Sequence, residues 1–167
     1  MVLPKLDIKI LKRKSLLAMS ENAAKDGKNY FFRNLYAKIN GKKIVDILEN
    51  GRNSCAVFVS LILVALGLIK YPHASVDSTE KDMIKSGWRK IKKLKPGAVI
   101  FWEEKKNDRP MFGEYETYHR HCGFYVGNNK AISNDSKKTG FPHKHHFTYN
   151  GTRKIEKIYW HSELDEI

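Results

Sequence analysis

Asn53-Ser54-Cys55-Ala56-Val57-Phe58-Val59-Ser60-Leu61-Ile62-Leu63-Val64-Ala65-Leu66-Gly67 is the stretch that decides the fold. Written as a helix from Cys55, it is apolar on every side, and a helix without a polar face has to be buried by the rest of its chain. The apolar run from Cys55 to Ile69 has 15 residues, Ser60 and Gly67 among them, whereas a membrane-spanning helix needs about 20. It reads as a core helix. Asn50-Gly51-Arg52-Asn53-Ser54 supplies turn and capping residues just ahead of it, which puts Cys55 in the first turn, and Gly67 closes it.

Toward the N-terminus, the segments 8–24 and 30–49 carry helix-compatible apolar spacing, interrupted at Asp26-Gly27 and Asn40-Gly41. Residues 1–43 hold 11 Lys/Arg against 3 Asp/Glu, so most of the formal charge of +13 lies ahead of the core helix. We divide the single domain expected for 167 residues into a basic helical part, 1–49, and a core, 50–167. With 41% hydrophobic and 29% charged residues, the chain is not of disordered, collagenous or disulfide-scaffold composition. Two cysteines, Cys55 and Cys122, make neither a disulfide framework nor a zinc ribbon. Leu16 to Met19 is too short for the apolar region of a secretory signal, and nothing reads as a membrane span. The cellular location stays open: an extracellular target requires lysis, a dedicated secretion device or a longer precursor.

Toward the C-terminus, Asp77-Ser78-Thr79-Glu80 has the spacing of a capping box for a second helix, which stops at Gly87. Lys95-Pro96-Gly97 is a turn, and from there the period changes to that of strands. Strands are expected at 98–102, 118–126, 130–134, 144–149 and 154–160, with a charged loop over 103–116 and turns at Gly127-Asn128-Asn129 and Asn150-Gly151. Helices first and an antiparallel meander of about five strands afterwards define an α+β domain.

A thiol in the first turn of a buried helix lies among unpaired N–H groups at the positive end of the helix dipole, which favours the thiolate. Amide chemistry on such a sulfur also needs an imidazole to take and return the proton, and a third group to hold that imidazole. His121 is the candidate base. Its neighbour Cys122 then faces the other side of the sheet, as a structural residue or a surface thiol. If Asn128-Asn129 is a two-residue loop, Gly127 pairs with Lys130, and Asn134 becomes the diagonal neighbour of His121. A three-residue loop brings Ser133 and Asp135 onto that face instead. The expected triad is Cys55, His121 and Asn134, with Asp135 and then Ser133 as alternatives for the third member.

Ser54-Cys55-Ala-Val-Phe-Val-Ser60, Leu94-Lys-Pro-Gly-Ala-Val-Ile-Phe-Trp102 and His121-Cys-Gly-Phe-Tyr-Val-Gly127-Asn-Asn-Lys-Ala-Ile132 together resemble the NlpC-type branch of papain-like cysteine peptidases and the neighbouring CHAP amidases, over residues 50–135. The resemblance implies a papain-like NlpC/CHAP architecture, Cys55 as nucleophile, His121 as base, a polar orienting residue on the next strand, and cleavage of peptide or amide bonds in bacterial peptidoglycan. The chain departs from the family where Ser54-Cys55-Ala56-Val57 replaces the usual Asp-Cys-Ser-Gly, and where Ser133 and Asn134 stand near the usual third histidine. Cys55 precedes His121, which is opposite to the order in the related permuted acyltransferases.

Five of the seven histidines fall between positions 119 and 146. His145 and His146, on the strand after the catalytic hairpin, and Tyr125 are the expected substrate-side residues. Without His-Glu-x-x-His or Cys-x-x-Cys spacing, no metal or other cofactor is expected. The positive balance and the run Lys85, Arg89, Lys90, Lys92, Lys93, Lys95 point to an anionic polymer or peptide as partner, peptidoglycan included. Nucleic acid is the less supported partner, for want of a helix-turn-helix or aromatic RNA-binding signature. The alternative to a cysteine hydrolase is a basic polymer- or nucleic-acid-binding pseudoenzyme on the same scaffold.

Overall fold

A computed structural model describes residues 7–106 and 118–165. The core helix forms as expected: α2 spans Cys55–Ala65, and Gly67, at φ +63°, ends it. No side chain caps its first turn, and the Ser54 hydroxyl is buried without a hydrogen-bond partner. The capping expected from Asn50 to Ser54 is therefore absent. The N–H groups at the start of α2 are left to whatever enters the site.

Of the two N-terminal helices expected, only α1, Lys12–Ala24, forms. The segment 30–49 is instead a hairpin of β1, Tyr36–Ile39, and β2, Lys43–Asp46. Two residues explain the difference. Asn40 and Gly41 take φ of +49° and +69°, which no helix interior accommodates. Asp46 turns its carboxylate on the chain's own backbone, accepting from Leu35 N at 2.9 Å and Asn50 N at 2.8 Å.

Helix α3, Val76–Lys85, starts two residues earlier than its expected box. Ser75 is the N-cap, accepting from Ser78 N at 3.1 Å. Glu80 is released from capping and buried, where it accepts from Tyr159 Oη at 2.6 Å, Lys157 Nζ at 2.8 Å and Arg120 Nη1 at 2.9 Å. These bonds pin α3 to the sheet.

Six strands rather than about five form the main antiparallel sheet: β3 (Arg89–Lys90), β4 (Val99–Lys106), β5 (Tyr118–Gly127), β6 (Lys130–Asn134), β7 (Pro142–His146) and β8 (Ile155–Trp160). Of the charged loop expected at 103–116, residues 103–106 continue β4, and the remainder lies outside the described residues. Their spatial order is β3-β8-β4-β5-β6-β7, so the last strand does not extend the meander but returns to the far side of β4. Residues 147–154 make that crossing, and Trp102 Nε1 donates to Phe147 O at 2.7 Å on the way.

Alternation then sorts the sheet into two faces. Val99, Phe101, Cys122, Phe124 and Ile132 join the helices in one core; Ile100, Trp102 and Ala131 form a second under the crossing segment, with Tyr125, Phe147 and Tyr149 packed against them. No described helix is long and apolar enough to cross a membrane.

Candidate active site

The β5-β6 hairpin decides which side chain meets His121. Asn128 and Asn129, at φ +50° and +56°, make the expected two-residue loop, and Gly127 pairs with Lys130. Beyond it a bulge at Val126 shifts the register, so that Tyr125 faces Ala131 and Phe124 faces Ile132. A bulge adds one residue to one strand and reverses the parity of everything past it. His121 Nε2 consequently lies 2.9 Å from Ser133 Oγ.

Asn134, the expected partner, points away: its Nδ2 donates to Gly51 O. It holds the loop that precedes Cys55, where Gly51 and Gly140 pack so tightly that a Cβ on Gly51 would stand 2.0 Å from Gly140 O. Asp135, the second alternative, builds its own turn by accepting from Thr139 N at 3.1 Å and Thr139 Oγ1 at 3.0 Å. Burial alone would raise its carboxyl, but these bonds hold it below the ordinary value. Gly123 completes the arrangement, because a Cβ there would meet Ser133 Cβ at 2.7 Å and push β6 away.

Cys55 and His121 are 2% and 1% exposed. The Cys55 sulfur and one ring nitrogen from each of His119 and His121 lie within 4.8 Å of one another, with Cys55 Sγ to His119 Nε2 at 3.9 Å. His119 reaches the site because residues two apart on a strand share a face, the one signal in the sequence that pointed to it. Cys122 is buried on the opposite face, not a surface thiol. A hydrogen bond from the Cys122 thiol draws the Cys55 thiol well below its ordinary value, burial opposes the shift, and the charges of His121 and His119 add to it. Cys122 itself is pushed up by that bond to Cys55 and by burial.

Hydrogen positions behind His121 follow from the network. His145 Nδ1 lies 2.8 Å from the carbonyl oxygen of His146, to which only an N–H can bond, so Nε2 of the neutral ring is an acceptor. Ser133 Oγ lies 2.8 Å from that Nε2 and spends its single proton there. It must then accept from Tyr149 Oη, at 2.8 Å, and from His121 Nε2–H. His121 is thereby fixed as the tautomer whose Nδ1 carries a lone pair, and this buried Nδ1 has no hydrogen-bond partner. Burial pushes the His121 imidazole below its ordinary value, against the pull of the Cys55 thiolate.

Three expected substrate-side residues lie elsewhere. His145 stands behind Ser133, stacked on Tyr149 with ring centres 4.0 Å apart, and burial drives its pKa down to about 3. His146 Nδ1 lies 2.9 Å from Thr148 Oγ1 in the turn after β7, and Tyr125 packs on Phe147 in the second core. None of the three lines either of two clefts that meet at Asn53 and His119. The smaller, about 220 Å³, reaches Cys55 beside Ser75, Asp77 and Arg120; the larger, about 760 Å³, runs past Arg52, Lys105, Lys138 and Arg153. Sequence reasoning missed Tyr149 and Arg153, which only the crossing segment brings to the site.

Cys55, His119 and His121 are the one group of three such donors among the described residues close enough to hold a metal ion, and their sulfur and nitrogen atoms suit a thiophilic cation. Such an ion would occupy the atoms that nucleophilic chemistry needs. No family model matches the chain, and no curated protein or solved structure matches it either.

Proposed function

We propose that the chain is a cysteine hydrolase of peptide or amide bonds, in which Cys55 is the nucleophile, His121 the general base and acid, and Ser133 the orienting group. The observation that carries the reading is a His121 ring with its tautomer set by Ser133 and its Nδ1 unpartnered, one of whose nitrogens lies within 4.8 Å of a sulfur at the start of an uncapped helix. His121 Nδ1 takes the proton of the Cys55 thiol, and the thiolate so formed attacks the carbonyl carbon. The developing oxyanion meets the N–H groups of the first turn of α2. The tetrahedral species collapses, the amine leaves with the proton from Nδ1, and a thioester remains. Water, deprotonated by His121, then releases the acid and regenerates the thiol. Burial disfavours the imidazolium, so the proton held on Nδ1 is readily passed to the amine.

The resemblance to NlpC-type peptidases and CHAP amidases belongs to this proposal, with peptides of the bacterial wall as the substrate class and a serine doing the work of the family's third residue. Muropeptides and short amides, incubated with the protein and with Cys55→Ala, test it by mass spectrometry. Cleavage by the wild type alone is the expected result. Cleavage that persists in Cys55→Ala, or a rapidly alkylated Cys55 that cleaves none of them, overturns it, the second outcome in favour of a polymer-binding pseudoenzyme.

A further inference from the structure

The larger cleft is lined by Arg52, Lys105, Lys106, Lys137, Lys138 and Arg153 against a single carboxylate, that of Asp135, whose oxygens are taken by the amides of Lys137, Lys138 and Thr139. Lys106, Lys137 and Lys138 are exposed, and Arg52 and Lys105 pair with Glu49 at 3.6 Å and Glu103 at 4.0 Å; Arg153 is neither exposed nor so paired. Half-buried, it donates from Nε and Nη2 to Glu103 O at 3.2 and 3.0 Å, and from Nη2 to His119 O at 3.0 Å. All its protein acceptors among the described residues are neutral carbonyls, and no described carboxylate lies within ion-pair distance.

A desolvated guanidinium with no carboxylate in ion-pair range is costly: burial pulls its pKa down, and the charges of Tyr149, Cys55 and Glu103 only partly oppose this. Through His119 it is one residue removed from the sulfur, since that histidine receives the Arg153 bond on its carbonyl and presents Nε2 at 3.9 Å from Cys55 Sγ. A second feature points the same way: the Asn53 amide, at the junction of the two clefts, has a buried N–H donor without any partner.

Resting on the hydrolase reading, we infer that the larger cleft selects substrates carrying an anionic group, carboxylate or phosphate, close to the scissile carbonyl, with Arg153 as its counter-ion and Asn53 as a further donor. The charge of the cleft thereby acts as a specificity filter at the nucleophile itself, whereas the exposed lysines of residues 85–95 serve only the approach of a partner.

Iodoacetate and iodoacetamide test this with the full chain and without knowledge of the substrate. Both form an S–C bond to Cys55 as iodide leaves, and they differ in the carboxylate that one carries beside the reacting carbon. Their rate ratio cancels the thiolate population, so a changed thiol pKa cannot mimic the effect. Relative to glutathione, the ratio at Cys55 is expected to favour iodoacetate about five- to tenfold at low salt, as for opposite charges several Å apart in a partly screened site. It should fall toward the glutathione value in molar salt. Arg153→Gln should abolish the preference, Arg153→Lys should retain most of it, and Lys130→Gln, outside the cleft, should leave it unchanged.

Acetate and inorganic phosphate, added at matched ionic strength, separate the two anions, since the one the cleft prefers suppresses the preference at lower concentration. A ratio equal to that of glutathione, one indifferent to salt, or one that neither anion suppresses, overturns the inference while leaving the nucleophile in place. Slow alkylation by both reagents removes the nucleophile and the inference together.

Discussion

Ser133 has one proton and three partners, and that imbalance is what gives the site its direction. A hydroxyl fixes the tautomer of an imidazole without adding charge, so the imidazolium gains less than it would from a carboxylate. On the proposed mechanism, Ser133→Ala should therefore lower kcat by about 10- to 100-fold while Cys55 still alkylates, because it would loosen the base rather than the nucleophile. Asn134→Ala should instead lower stability by about 1–3 kcal/mol, through the lost bond to Gly51, with an unchanged pH profile. Reversal of these two outcomes would restore Asn134 as the orienting residue. Since the Cys55 thiol is drawn well below its ordinary value of 9.0, its alkylation should stay fast at neutral pH and fall only at acid pH; in His121→Ala the fall should move to higher pH. A profile identical in both proteins would deny any interaction between the two side chains.

At the level of elements, α3 hangs on Glu80. Bonds from Lys157, Tyr159 and Arg120 outweigh its burial and bring the carboxyl down to about 2 from 4.5. A depressed carboxylate contributes stability that is complete above 4.5 and is lost as pH falls toward 2. Glu80→Gln should remove about 2–4 kcal/mol in denaturant titrations at neutral pH and flatten the acid limb between those values. The same elements show what the sequence could convey. An unbroken apolar run announced α2, and two adjacent asparagines announced the β5-β6 turn, because both depend on neighbours in the chain. The bulge at Val126 depends on how β5 settles against β4 and α2, which no local pattern encodes, and it alone moved the third residue from Asn134 to Ser133. The β1-β2 hairpin was missed for the converse reason: Ile39 and Ile44 match a helical period, yet both are exposed, so the burial that gives such a period its meaning is absent.

On the scale of the whole molecule, the sheet is completed from outside the sequence order, and His145 and Tyr149 on the β7 side and Arg153 before β8 come to the site with it. His145 is held neutral, its pKa moved from 6.5 to about 3 by burial. A depressed imidazole contributes stability above 6.5 that is lost as pH falls through the interval down to about 3, here up to about 5 kcal/mol. Acid unfolding followed by circular dichroism should begin below pH 6.5 and be shallower in His145→Gln; an identical slope in both would place the acid sensitivity in other groups. The crossing at 147–154 carries one more consequence, for biogenesis. A ribosome that has released only the first 146 residues has made the sulfur, its base and the serine, but neither the phenol and guanidinium around them nor the strand that seats between β3 and β4. The cleft beside the sulfur is therefore completed only after residues 147–160 have left the ribosome and β8 has paired with β3 and β4.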